Sequence, residues 1–279
     1  MVITAGGSPF EDRRKQGICQ RGELMDKLIR SGQRRYVRGG TKEVWHSFFA
    51  EDVRAPFENG FGFLCAFDEL RLSPNASSQP SFEDDTEIVT YVYQGALSQE
   101  DTVGNSGVIH TGEFQRMSTG RRIGRKETSV SRTGSVHLFR MSLRSAQAGF
   151  YGGYEQKRFT EAQRRNLLCV VVSPDGRQGS LRIPQDVLVC SAILDPGHHF
   201  VYELTPGRTA WLHAVCGEAT FHDIVLTQGD GVGVTNERSL SLTVREKNEI
   251  LLIDLGPPNV RPWEKPSWNT SSSSGRSRC

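Results

Sequence analysis

The chain carries no paired cysteines, no long apolar run and almost no net charge, and each absence narrows what it can be. Its six cysteines, Cys19, Cys65, Cys169, Cys190, Cys216 and Cys279, form no CxxC pair and no paired spacing, which argues against a disulfide framework. No N-terminal hydrophobic run resembles a signal peptide, so a reducing, cytoplasmic compartment is expected. No segment approaches the roughly 18 apolar residues that a bilayer span requires, so a membrane role is unsupported. A net charge of +2 argues against the whole molecule being a polyanion binder. There is no HxH pair, no nucleophile motif, no Gly-rich phosphate loop and no zinc spacing.

What is present suits compact β-rich domains: 279 residues, 36% hydrophobic, with 29 glycines. The charge is unevenly placed. Residues 1–42 hold ten Lys or Arg against four acids, Glu11, Asp12, Glu23 and Asp26, so this stretch is +6 and the remainder −4. Within it Leu24, Met25, Leu28 and Ile29 recur at helical spacing, and a short amphipathic helix is predicted over Gly22 to Arg30. Such a basic N-terminal extension, taken as 1–33, suits docking to an acidic protein or a nucleic acid; the plainer reading is a solvated extension. At the other end, residues 257–279 contain Pro262, Pro266 and four consecutive serines, and read as a flexible tail.

Between these ends the pattern is strand after strand. Ile88 to Tyr93, Gly107 to Ile109, Ser135 to Met141, Leu167 to Val172, Val187 to Leu194, Phe200 to Leu204, Ala210 to Val215, Leu240 to Val244 and Ile250 to Leu255 are β-branched or aromatic runs. Gly, Asn, Asp and Pro punctuate them. Short strands between turn signals predict an all-β chain of closed or sandwiched antiparallel sheets. One helix is predicted, Thr160 to Arg165, opened by a Thr cap. It falls in a linker, 146–164, dividing an N-terminal domain (34–145) from a C-terminal domain (165–256).

Glu87-Ile88-Val89-Thr90-Tyr91-Val92-Tyr93-Gln94-Gly95 and Gln115-Arg116-Met117-Ser118-Thr119-Gly120 resemble the metal-binding half of a pirin-type bicupin. Further matches follow in the family's order. They include Trp45-His46-Ser47-Phe48-Phe49-Ala50, Tyr154-Glu155-Gln156-Lys157-Arg158-Phe159, Pro206-Gly207-Arg208-Thr209-Ala210-Trp211 and Gln228-Gly229-Asp230-Gly231. The resemblance implies two cupin barrels in one chain. Where the family carries its metal ligands, however, this chain reads Ser81, Glu83, Arg125 and Glu127. The family's Ser-Leu-x-Ile-His-Gln-Asp segment reads Ser180-Leu181-Arg182-Ile183-Pro184-Gln185-Asp186, another imidazole replaced.

Alternate residues of a strand share a face, so Ser81, Glu83 and Glu87 are expected to point into the first barrel with Arg125 and Glu127. Imidazole suits iron, nickel, copper and zinc, and none of the expected imidazoles remains, so no metal and no other cofactor is expected. Arg125 is expected to stand in for the cation, bonding Glu127 and Glu83 or Glu87 with its planar fork. Tyr91, Met117 and Phe139 are expected to line the same pocket, beside Ser81 and Glu87, around a small-molecule ligand. The basic run Gly120 to Lys126 would meet an anion at its mouth or form a solvated hairpin, and Phe150, Tyr151 and Tyr154 would form a lid or pack in the linker. His198, His199, His213 and His222 in the second half read as ordinary strand or loop histidines; His46, His110 and His137 as structural or exposed ones.

Three functions stay open. The first is a metal-free small-molecule-binding or regulatory protein. The second is a metal-independent enzyme, an isomerase, cyclase or lyase, with Glu83 or Glu127 as general base and Arg125 stabilising an oxyanion. The third is a quercetinase-like, metal-dependent dioxygenase.

Overall fold

The structure is a computed structural model, and it describes residues 27–48, 61–82, 85–119, 123–144 and 153–257. Among these residues nearly all the regular secondary structure is strand. It begins with β1 (Lys27–Ile29), β2 (Arg35–Gly39), β3 (Lys42–His46), β4 (Leu64–Leu72), β5 (Ser81–Phe82), β6 (Thr86–Gln94) and β7 (Ala96–Asp101). It continues through β8 (Ser106–His110), β9 (Glu113–Thr119), β10 (Gly124–Ser129), β11 (Val136–Arg144) and β12 (Tyr154–Arg158). A helical turn, α1 (Glu161–Arg164), is capped by Thr160, whose hydroxyl accepts from the Gln163 amide. Then come β13 (Cys169–Ser173), β14 (Leu181–Arg182), β15 (Val187–Leu194), β16 (His199–Glu203) and β17 (Thr209–Cys216). The last are β18 (Glu218–Phe221), β19 (Ile224–Thr227), β20 (Gly231–Val234), β21 (Ser239–Val244) and β22 (Asn248–Leu255).

These strands build two barrels of the same plan. In the first, a seven-stranded sheet ordered β12-β9-β6-β11-β4-β3-β2 packs on a four-stranded sheet ordered β5-β10-β7-β8. In the second, β1-β20-β17-β22-β15-β13-β14 packs on β16-β21-β18-β19. Each barrel has its own apolar interior: Leu70, Val92, Leu97, Ile109 and Leu138 fill the first, and Leu212, Phe221, Leu226, Leu242 and Leu252 the second.

The outer faces of the two large sheets meet in a third core. Phe67, Val89, Tyr91, Phe114, Phe139 and Met141 from the first barrel pack against Val171, Val189, Trp211, Leu251 and Ile253 from the second. A fully buried side chain of this kind contributes roughly 1.5–3 kcal/mol, so a dozen of them hold the barrels as one body. Trp211 crosses the seam, 4.9 Å from Phe48 and 6.2 Å from Phe67. It lies so close over β20 that a Cβ on Gly231 would sit 2.2 Å from its ring, which is why glycine occupies that position.

Two sequence expectations are corrected here. The helix over Gly22 to Arg30 is a strand where it is described: β1 adds to β20 of the second barrel, with Leu28 opposite Val232. An edge strand has unpaired backbone groups to offer, and Asp230 fixes the incoming segment by accepting from the Arg30 guanidinium and the Ser31 amide, both at 2.8 Å. The end of the expected 1–33 extension is therefore part of the second barrel. Likewise Tyr154–Arg158, expected as linker, is strand β12, paired along its length with β9. Cys169, Cys190 and Cys216 are free thiols, and among the described residues no helix is long and apolar enough to cross a membrane.

Candidate functional site

The expected site forms around β10. Alternation along this strand sends Arg125, Glu127 and Ser129 into the first barrel, and all three are buried. Arg125 Nε lies 3.3 Å from Glu127 Oε1, with both side chains 2% exposed. A second guanidinium, Arg140 of β11, donates to the same carboxylate oxygen. Burial by itself would raise the Glu127 acid; Arg140 and Arg125 outweigh it, with Lys42 beyond them, and hold it at about 2. Lys42, at the start of β3, is pulled below its ordinary value by burial and by Arg140, with Glu127 opposing. Asp68, beside Arg140 in the β4–β11 ladder and within reach of the Lys42 charge, accepts a hydrogen bond from His46 Nδ1 at 2.8 Å.

The rest of the interior is polar where it is not aliphatic. Met117 points into it, its sulfur accepting from Gln99 Nε2 at 2.9 Å. Thr90 and Gln115 stand opposite each other on β6 and β9. The Thr90 hydroxyl, both ends of the Gln115 amide, Gln99 Oε1 and the Ser129 hydroxyl are buried without a hydrogen-bond partner.

Of the residues expected to share this pocket, the structure brings Arg125, Glu127 and Met117 together. Glu83 lies outside the described residues, as do Gly120 to Arg122 and the aromatic pair Phe150 and Tyr151. Ser81 pairs with Arg125 across β5 and β10 but is exposed. Glu87, Tyr91 and Phe139 are corrections: they lie on the opposite face of the large sheet. Parity does not carry from Ser81 to Glu87, because β5 and β6 belong to different sheets and the chain between them passes through Asp85 at φ 50°. Glu87 instead sits opposite Ser118, 3.7 Å from Arg116, its acid raised by burial. Tyr91 stacks on Phe114 at 4.3 Å and donates to Glu249 of the second barrel. Phe139 lies 5.5 Å from His213, also of the second barrel.

Arg140 and Lys42 escaped the sequence reading. The signal for Arg140 was available: it is a cation in the middle of a β-strand run, on the parity of Val136 and Leu138. A divalent metal does not fit the described residues, since the Glu127 oxygen that would bind it is already held by two guanidiniums. Among those residues no group of three His, Cys, Asp or Glu is arranged to hold a metal ion. His213 is buried and uncharged, its acid lowered to about 3 by burial and by Arg34.

Two face-to-face sandwiches in tandem, each a large sheet closed by a small one, define a two-barrel cupin protein. Comparison with known proteins agrees: residues 31–142 match the family model for pirin, and residues 170–255 that for the quercetinase C-terminal cupin domain. The chain is 30% identical over 230 residues to a quercetin 2,3-dioxygenase of Escherichia coli K12, covering 82% of this chain and 98% of that one. The crystal structure of YhhW from Escherichia coli superposes with a TM-score of 0.77 at 29% identity, covering 83% of this chain and 97% of that chain. A nickel(II) complex of the same bacterial pirin gives 0.77 at 28% identity, covering 83% and 99%. The chain belongs to the pirin family.

Proposed function

We propose that this pirin-family protein works without a metal, and that its first barrel binds a small anionic molecule. The observation that carries this reading is Glu127 held between the buried guanidiniums of Arg125 and Arg140, at the position where the family resemblance puts metal ligands. Guanidinium does not deprotonate in proteins, so the positive charge is permanent. Two permanent guanidinium charges against one carboxylate oxygen repel a divalent cation there. The unpartnered Thr90, Gln99, Gln115 and Ser129 groups support the same reading, because buried polar atoms in native folds are normally satisfied by water or ligand.

Binding is favoured over acid–base catalysis by Glu127. An acid held near 2 is a weak proton acceptor at neutral pH, where an effective general base has its acid near the working pH. The quercetin 2,3-dioxygenase relative makes flavonol oxygenation the competing reading. The free thiols of Cys169, Cys190 and Cys216 suit a reducing compartment.

Calorimetry on dialysed protein separates these readings. Titration with malonate is expected to give heat that Arg125→Met removes, while nickel(II) gives none. Nickel binding at Glu127, or silence from malonate and from every other small carboxylate tried, would overturn the proposal.

A further inference from the structure

On the far side of β6 from the first-barrel cluster, a cavity of about 480 Å³ opens between the barrels. Its floor is built. Arg164, the last residue of α1, forms an ion pair with Glu249 at 2.7 Å and donates to the Tyr91 hydroxyl at 3.0 Å and the Ser191 hydroxyl at 3.1 Å. Arg164 and Glu249 side chains are 5% and 8% exposed. Capacity remains beyond these bonds. Arg164 Nε and both polar atoms of the Asn248 amide, which belongs to another residue of the lining, are buried without partners. Each such group costs roughly 1–3 kcal/mol if nothing satisfies it.

The walls are Phe159, Ile193 and Tyr93, together with the half-buried Cys216 thiol. Gly217, at φ 75°, makes the turn that leaves Cys216 on the wall, and a Cβ there would lie 2.0 Å from the Lys247 carbonyl. The rim carries Arg158 and Lys247, both exposed. Lys247 is loosely paired with Glu161 at 3.5 Å, and Arg164 with Glu249, so among the described lining residues Arg158 is the cation left over.

We propose that this inter-barrel cavity is a second ligand site, for a small aromatic monoanion of one or two rings carrying a carboxylate. The volume falls in the range of small-molecule sites, roughly 300–1,000 Å³. The apolar walls take the ring, the excess rim charge takes the carboxylate, and the unspent donors of the floor take a second polar substituent. The site shares no residue with the first-barrel cluster and does not depend on whether that barrel holds a metal.

Cys216 supplies the readout. The full chain is treated with N-ethylmaleimide with and without 2-naphthoate, and alkylation of Cys216 is followed by peptide mass spectrometry with Cys65 as internal reference. Mass action slows a protected thiol by roughly tenfold when the probe is at about ten times its Kd. The expected result is slowing of this order at Cys216 and none at Cys65, little effect of 2-naphthylmethylammonium, and loss of protection in the exposed-site double variant R158E/K247E. Arg125→Met should keep the protection, which separates this proposal from the first-barrel reading. No protection at millimolar 2-naphthoate, equal protection by the ammonium, or protection that survives R158E/K247E would overturn it.

Discussion

Replacing Arg140 with methionine keeps the aliphatic stem and removes one of the two guanidiniums on Glu127. In the parent protein Glu127 is lowered from 4.5 to about 2, a shift worth on the order of 3 kcal/mol at neutral pH by linkage. The sign follows from the direction. An acid depressed by folding gives stability that is complete above its unfolded value and fades as pH falls from about 4.5 toward 2. Arg140→Met leaves a fully buried carboxylate with Arg125 as its remaining close partner, and breaking a buried pair from one side costs roughly 3–5 kcal/mol. For a protein of this size that is a fall in Tm of roughly 6–20 °C. Thermal unfolding followed by circular dichroism checks it. The variant should also lose less than the parent on going from neutral pH to pH near 3, because its Glu127 is no longer strongly depressed. A variant that melts within a degree or two of the parent, with the same acid profile, would refute the account of the cluster.

Other outcomes follow from the same geometry. His213, lowered from 6.5 to about 3, must take up a proton on unfolding at acid pH; stability is fully present above about 6.5 and falls by roughly 2 kcal/mol by pH 5. His213→Leu should flatten that portion of the profile in chemical denaturation, and an unchanged slope would count against a buried neutral imidazole. Tyr91→Phe, which deprives Glu249 and Arg164 of a shared buried hydroxyl, should cost about 1–3 kcal/mol without altering first-barrel ligand binding. Asp230→Ala, which frees Arg30 and Ser31, should reduce hydrogen-exchange protection at Ile29 of β1, the residue opposite Gly231; retained protection would mean that β1 is held by pairing alone. Restoring imidazoles through Ser81→His, Glu83→His and Arg125→His together should let nickel(II) raise the Tm, an effect absent in the parent.

The Arg125–Glu127 pair was legible because β10 is one uninterrupted strand, and residues two apart on a strand share a face. The same rule misplaced Glu87, since nothing in the sequence marks the break at Asp85 that separates β5 from β6. Tyr91 and Phe139 failed for a different reason. In a sheet with one wet face, polar residues alternate and show which side is inside. β6 and β11 are buried on both faces, one lining the barrel and one lining the interface, so parity sorts their residues into two sets without saying which set is interior. The helix expected over Gly22 to Arg30 rested on apolar spacing within the stretch; the strand seen at Lys27–Ile29 exists because β20, some two hundred residues later, presents an open edge. Pairing at that separation leaves no local trace. The all-β character was readable because strand length and turn chemistry are local properties, whereas the two-barrel plan came from the family resemblance.

The measurement that bears most directly on the central claim is the metal content of the protein purified without chelator, read by plasma emission and located by anomalous scattering in a crystal. The account requires iron, nickel, copper and zinc to be far below one atom per chain, with Arg125 and Arg140 in contact with Glu127. One metal atom per chain, bound by Glu127 with the guanidiniums displaced, would contradict it.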